Sequence, residues 1–159
     1  VFNEQGCQEL KPASGRGAVL HFLNALVKPP IKKPQPLSLH QVLKRLAQHA
    51  RPGSLLYLIS DFRGLNNSVE RQLSLLAKHC ELQLVHVYDP LECELPKKGQ
   101  YRFTNGERET VVDTAERQRV LAYQQLFQQR QEELRTMCHK WRMTLVECRT
   151  TDDPFEVLR

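Results

Sequence analysis

The sequence lacks the features that identify several large classes of protein. It has no uninterrupted run of about eighteen apolar residues, so no helix is predicted to span a membrane. The first residues, Val1 to Glu4, show neither the basic nor the apolar region of a signal peptide. P-loop, G-x-G-x-x-G, G-x-S-x-G and H-E-x-x-H patterns are also missing. These absences exclude the commonest signatures of nucleotide-binding proteins, serine hydrolases and zinc proteases.

The cysteines are few, and their spacing is irregular. There are five of them, an odd number, and no two form a C-x-x-C. This spacing argues against a disulfide framework and against a zinc knuckle. We therefore expect reduced thiols in a cytoplasmic protein. The five residues are Cys7, Cys80, Cys93, Cys138 and Cys148.

Positive charge is in excess but is spread along the chain. The net charge is +5, and the densest basic cluster is Lys28, Lys32 and Lys33 in a proline-rich loop. No recognised nucleic-acid-binding module accompanies these lysines, so we do not expect a nucleic-acid partner. The length of 159 residues predicts a single domain over residues 1–159 with a sizeable buried core.

Strand and helix patterns alternate along the chain, which predicts an α/β fold. The apolar run Leu55 to Ile59, between Gly53 and Asp61, is typical of a strand buried on both faces of a parallel sheet. Two later strands are predicted, and two short ones form a hairpin around Asn105-Gly106. The predicted strands are Leu55–Ile59, Leu82–Tyr88, Tyr101–Phe103, Thr110–Val112 and Met143–Cys148, and the predicted helices are 14–27, 38–51, 67–79, 113–140 and a short one after Asp153.

Three of these helices are predicted to begin with a polar residue followed three positions later by Gln or Glu. A side-chain oxygen at the first position accepts a backbone N–H of the first turn, and the second side chain accepts the N–H of the cap residue. The predicted pairs are Ser38 with Gln41, Asn67 with Glu70, and Asp113 with Glu116.

Two aspartates follow neighbouring strands of the predicted sheet. Asp61 ends the segment Ile59-Ser60-Asp61, and Asp89 ends Val87-Tyr88-Asp89. Ligands of open parallel sheets bind at the carboxyl ends of strands, so the two carboxylates are expected to share one crevice. They would suit a hard cation such as Mg²⁺, or each would accept backbone N–H groups of its own loop. His86 alternates with apolar residues and is expected to have a structural role.

Six segments of the sequence form an ordered set: Pro12–Gly17, Leu56–Phe62, Leu76–His79, Val87–Pro96, Gly106-Glu107 and Val112–Thr114. Together they resemble a known family, the bacterial family of unknown function number fifty-eight, a branch of the von Willebrand factor A-like domains. The most specific are the strand that ends in Ser60-Asp61-Phe62 and the Asp89–Pro96 segment. The resemblance covers nearly the whole chain. It implies a Rossmann-type three-layer α/β fold that is partial here, lacking its first strands, with Asp61 at the mouth of the central strand.

The resemblance also implies a metal-ion-dependent adhesion site with ligands from three loops. Asp61 matches the aspartate of the third loop. The threonine of the second loop corresponds to Leu37, which has no side-chain oxygen, and Ser38 is the candidate substitute. The Asp-x-Ser-x-Ser of the first loop lies upstream of this chain. The candidate metal ligands are therefore Asp61, Ser38 and Asp89; no cofactor is expected in this chain, and Mg²⁺ is implied for the full-length protein.

The leading functional hypothesis is a non-enzymatic protein-interaction domain. The resemblance implies a MoxR-type AAA+ ATPase as partner. It also implies that the missing first strand lies beside Leu55–Ile59, so residues 54–60 are expected to present an apolar edge and to form a homodimer. The alternative is a magnesium-dependent phosphoryl-transfer enzyme that uses Asp61, although Arg63 stands where a second carboxylate would be.

Overall fold

The computed structural model describes residues 2–3, 6–27, 37–96, 99–104 and 109–158. The chain divides into two compact units. The first comprises Val1–Pro52 and Gly64–His79, and the second comprises Gly53–Arg63 and Cys80–Arg159. In the described ranges, no helix is long and apolar enough to cross a membrane. The predicted proline-rich loop with its lysines, and the Asn105-Gly106 turn, lie outside the described residues.

The first unit is mainly helical. Helix α2 packs against helix α3, and Leu43, Val69 and Leu73 are almost completely buried. A ring nitrogen of His40, Nδ1, lies 3.3 Å from the carbonyl oxygen of Ser68 and joins the two helices. The elements are β1 (Phe2–Asn3) and β2 (Gly6–Cys7), which pair antiparallel, and α1 (Arg16–Val27), α2 (Leu39–His49) and α3 (Asn67–Ala77).

Helix α1 forms where its apolar spacing predicts it, but it buries little. Among its residues only Ala25 is buried. Its large apolar side chains, among them Phe22 and Leu26, are about half exposed. Hydrophobic spacing therefore identified the helix without indicating a packing partner.

The helix caps agree with the sequence in one case and shift by one residue in another. Ser38 caps α2 with both hydrogen bonds of the predicted capping box, from the backbone N–H of Gln41 and to its side chain. The cap of α3 is Asn66 and not Asn67, so the prediction was wrong by one position. The Asn66 side-chain oxygen accepts the N–H groups of Ser68 and Val69.

The second unit contains a parallel three-stranded sheet, which confirms the predicted α/β class. The sheet order is β3-β4-β7, with both pairs parallel. A separate antiparallel hairpin confirms the predicted pair of short strands. The elements are β3 (Leu55–Ser60), β4 (Glu81–Tyr88), α4 (Pro90–Cys93), β5 (Gln100–Thr104), β6 (Glu109–Asp113), α5 (Arg117–Trp141), β7 (Thr144–Arg149) and α6 (Pro154–Val157).

The middle strand of the described sheet is β4, and β3 lies at its edge. Leu84, Val85 and His86 of β4 are buried, so this strand is covered on both faces. In β3, by contrast, every second side chain is exposed: 47% for Leu55, 54% for Tyr57 and 64% for Ile59. The prediction that β3 is buried on both faces was therefore wrong, whereas the edge position expected for residues 54–60 agrees with the order of the described sheet. Continuous hydrophobicity identifies a strand but not its place in the sheet.

Helix α5 covers the face of the sheet that carries Leu84, His86 and Tyr88. It buries Phe127 and Leu134, and its Arg135 makes a bidentate pair with Glu147 of β7. The predicted capping pair of Asp113 and Glu116 was wrong. The Glu116 side chain makes no capping hydrogen bond, and Asp113 instead accepts the N–H of Ala115 in the preceding turn.

Candidate functional site

The carboxyl ends of the parallel strands gather the polar side chains of the second unit. Asp61 and Arg63 follow β3, Asp89 and Glu92 follow β4, and Thr150 follows β7. The parallel registers of β3 with β4 and of β4 with β7 bring these strand ends to one edge of the sheet. The sequence predicted this edge as the candidate site.

Asp61 organises the loop that leaves β3. Its Oδ1 accepts the backbone N–H of Arg63 at 3.1 Å and lies 3.4 Å from the hydroxyl of Ser60. The Ser60 hydroxyl also accepts the backbone N–H of Phe62 at 3.1 Å. Phe62 holds a left-handed backbone with φ of 49° while its side chain is buried. Asp61 and Ser60 together satisfy the backbone of a sharp turn, as the loop-capping interpretation of Asp61 describes.

Asp89 has a corresponding role after β4. It is the N-cap of α4, where its Oδ1 accepts the N–H of Leu91 at 2.8 Å. Its Oδ2 accepts the hydroxyl of Thr150 at 3.0 Å, which joins the ends of β4 and β7. In the other direction, the Asp89 N–H donates to Oε1 of Glu92 at 3.3 Å. Both oxygens of Asp89 therefore accept hydrogen bonds from the protein.

Arg63 connects the loop after β3 with the helix after β4. Its Nη2 lies 2.7 Å from Oε2 of Glu92, and its Nε lies 3.3 Å from Oδ2 of Asp61. The hydrogen bond to Glu92 is the main cause that raises the pKa of Arg63 above its ordinary value. One guanidinium thus bridges two carboxylates at the predicted cation site.

Ser38, the third candidate metal ligand, belongs to the first unit. Its hydroxyl accepts the N–H of Gln41 at 3.3 Å, and its own N–H donates to the side chain of Gln41 at 2.9 Å. These contacts are those of a helix cap. Across the part of the chain that the structure describes, no group of three or more His, Cys, Asp or Glu side chains is arranged to hold a metal ion.

Beneath this edge, His86 lies in an aromatic cluster. The centroid of its ring is 5.1 Å from that of Tyr88, 6.2 Å from Phe62 and 6.3 Å from Phe127. Its side chain is buried, and within the described residues its Nδ1 has no hydrogen-bond partner. Burial is the main cause that lowers the pKa of His86 below its ordinary value. The neutral imidazole is thus a packing element here, as the sequence predicted.

Because the pKa of His86 is lower in the folded chain, the unfolded chain takes up its proton first as the pH falls. His86 therefore contributes to a loss of stability that begins below about pH 6.5. The nearby carboxylates of Glu147, Glu92 and Asp61 oppose this lowering, while Arg130 adds to it. Replacing His86 by Phe is expected to reduce the pH dependence of unfolding free energy by up to about 1.4 kcal/mol per pH unit.

Urea unfolding at several pH values between 5 and 7.5 would measure this effect. His139→Gln is the matched control, because His139 lies exposed on α5. Equal slopes for His86→Phe and the unchanged chain would contradict the prediction.

Cys93 and Tyr123, which lie near the site, are not activated for chemistry. Burial is the main cause that raises the pKa of Cys93 and that of Tyr123. Burial also raises the pKa of Cys138 to about 11. The Tyr123 hydroxyl donates to the carbonyl oxygen of Leu91 at 3.1 Å, which ties α5 to α4. A thiol with a raised pKa is a poor nucleophile at neutral pH.

Two residues of this site, Glu92 and Thr150, were not predicted from the sequence. Glu92 and Thr150 carry no local signal of pairing, since Glu92 meets Arg63 across 29 positions and Thr150 meets Asp89 across 61 positions. Only the capping relation of Asp89 with Glu92, three residues apart, was open to detection from spacing.

The comparison with known proteins identifies a family. The model of the family described as "Protein of unknown function DUF58" matches residues 1–133. No curated protein and no solved structure shows a significant match to the chain.

Proposed function

Since the chain belongs to the DUF58 family of proteins of unknown function, we propose that it is a non-enzymatic protein-interaction domain of von Willebrand A type. Its metal-ion-dependent adhesion site is degenerate in this proposal. The observation that supports a protein-interaction function is the edge strand β3, whose Leu55, Tyr57 and Ile59 are about half exposed or more. Exposed apolar edge strands are sites at which another strand pairs.

The proposed assembly is a homodimer through residues 54–60. Strand β3 has no charged residue or proline between Leu55 and Ser60, so it lacks the usual protection of an edge. The chain has a mass of 18.5 kDa, and light scattering is expected to give about twice that value. Ile59→Lys is expected to yield a monomer, because a lysine on this face would have to lose its hydration in the dimer.

The matched control for that experiment is Leu126→Lys on α5. Leu126 is 60% exposed and Ile59 is 64% exposed, so both changes add one charge at a similarly exposed apolar position. The control variant should remain a dimer. A stable monomer of the unchanged chain at high concentration would overturn the homodimer proposal.

The proposed partner is a MoxR-type AAA+ ATPase, and the family relationship supports this choice. Free cysteines at all five positions support the cytoplasm as the proposed location. The test is direct binding of the full-length protein to the purified MoxR-type ATPase of the same organism, measured with and without ATP. Absence of binding in both conditions would contradict the proposed ATPase partner. The homodimer proposal would not be affected, because light scattering tests it separately.

The alternative proposal is a magnesium-dependent phosphoryl-transfer enzyme in which Asp61 acts with Mg²⁺. Phosphatase turnover by the full-length protein would have to require Mg²⁺ and disappear in Asp61→Asn. Turnover that survives this substitution would exclude Asp61 as the reacting group. The exposed carboxylate of Asp61 at a strand end is the feature that supports this alternative.

A further inference from the structure

Three carboxylates stand at the carboxyl ends of β3 and β4. Five of their six oxygens accept hydrogen bonds from the protein, and the sixth, Oδ2 of Asp61, is ion-paired with Arg63. The two oxygens of Asp61 face the backbone N–H and the Nε of Arg63. Those of Glu92 face the Nη2 of Arg63 and the backbone N–H of Asp89. Those of Asp89 face the N–H of Leu91 and the hydroxyl of Thr150.

We propose that Arg63 is the resident cation of this edge and replaces a divalent metal ion between Asp61 and Glu92. A guanidinium is a permanent cation with five N–H donors in a plane, which suits two carboxylates at once. It uses neighbouring nitrogens, Nε and Nη2, for the two acids. The positive charge that would come from a metal is thus supplied by the chain itself.

The donors around these acids do not fit a metal ion. Mg²⁺ binds oxygen atoms in near-octahedral geometry at about 2.0 to 2.1 Å. Here the two acids face N–H groups, which carry positive partial charge and cannot coordinate a cation. A metal would have to displace the Arg63 side chain from Glu92, from which its Nη2 lies 2.7 Å away. Asp61, a metal ligand implied by the family resemblance, is therefore engaged in a different interaction.

The same guanidinium also fastens the loop after β3 to α4. Arg63 follows the left-handed residue Phe62, and Glu92 lies in the single turn of α4. The side chain of Glu92 is 22% exposed and that of Arg63 is 62% exposed, so water screens this pair mainly from the Arg63 side. Arg63 therefore closes the edge at which a metal-dependent site would otherwise open.

This inference rests on one part of the proposed function, the degenerate metal-ion-dependent adhesion site, and does not depend on the homodimer or the ATPase partner. Its test uses Mn²⁺ as a probe, with free Mn²⁺ measured by electron paramagnetic resonance during titration of the 159-residue chain. Arg63→Ala should bind Mn²⁺ at least tenfold more tightly than the unchanged chain, because two carboxylates then face a common gap. Adding Asp61→Asn to Arg63→Ala should remove the gain. Arg63→Lys, which keeps the cation, should bind no more tightly than the unchanged chain.

Arg102→Ala is the matched control for charge. It also removes one arginine paired with a carboxylate, since Arg102 Nη1 lies 3.5 Å from Oε2 of Glu109. Equal gains in Arg102→Ala and Arg63→Ala would overturn the proposal, because they would reflect net charge alone. The proposal would also be overturned if the unchanged chain bound Mn²⁺ and Asp61→Asn abolished that binding. This comparison does not require any Arg63 variant to fold. The dimer and the ATPase partner are measured separately, so either proposal can fail without the other.

Discussion

Replacing Leu84 by alanine is expected to lower the free energy of unfolding by about 3 to 4 kcal/mol. Leu84 lies in β4, the middle strand of the described sheet, and its side chain is completely buried. It pairs in register with Leu58 on one side and Leu145 on the other. Removal of its side chain leaves a cavity on one face of the sheet. The neighbouring strands are fixed by their hydrogen bonds, so the surroundings cannot fully collapse.

Urea unfolding followed by circular dichroism would measure this loss. Leu121→Ala on α5 is the control, because Leu121 is 46% exposed and carries the same side chain. We expect the control to change the free energy by less than about 1 kcal/mol, since a half-exposed side chain leaves no closed cavity. A loss below 1 kcal/mol for Leu84→Ala would contradict the central position of β4.

Replacing Phe62 by alanine is expected to cost about 3 kcal/mol, through loss of a buried aromatic side chain. The ring packs edge-on against His86 at the base of the candidate site. Phe62→Gly should be about 1 kcal/mol less destabilising than Phe62→Ala, although glycine removes more atoms. The reason is the φ of 49° at this position, which a glycine adopts without the steric cost that a Cβ atom brings.

Phe127 provides the opposite case in the same cluster. It is also buried, but it lies inside helix α5, where glycine is about 1 kcal/mol less favourable than alanine. Phe127→Gly should therefore be more destabilising than Phe127→Ala. If glycine is more destabilising than alanine at both positions, the left-handed backbone of Phe62 does not determine the stability effect of substitutions there.

Local interactions were the part of the fold that the sequence predicted well. The cap of α2 and the short helix after Asp153 depend on residues within three positions, and both formed as predicted. The two errors in the helix caps were also local in kind. The adjacent Asn66 and Asn67 offer the same capping chemistry, and spacing alone cannot choose between them when the helix start itself is set by packing.

The candidate site was predicted only in outline. The strands followed by Asp61 and Asp89 predicted that these two residues lie at one edge of the sheet, because the carboxyl ends of parallel strands meet there. The contact of Arg63 with Glu92 was not predictable, since the two residues are 29 positions apart and come together only when β3 pairs with β4. An exposed arginine in a loop carries no local pattern that indicates its partner.

By itself, the sequence determined the helices and strands, the α/β class and the edge at which polar side chains collect. These follow from hydrophobic periodicity and from hydrogen bonds between near neighbours, which act over a few residues. Only the tertiary structure decided that one face of β3 is exposed, that His86 is enclosed by aromatic rings and that Arg63 neutralises Asp61 and Glu92. Those outcomes depend on which strands pair and which helix covers them, and distant parts of the chain contribute to each.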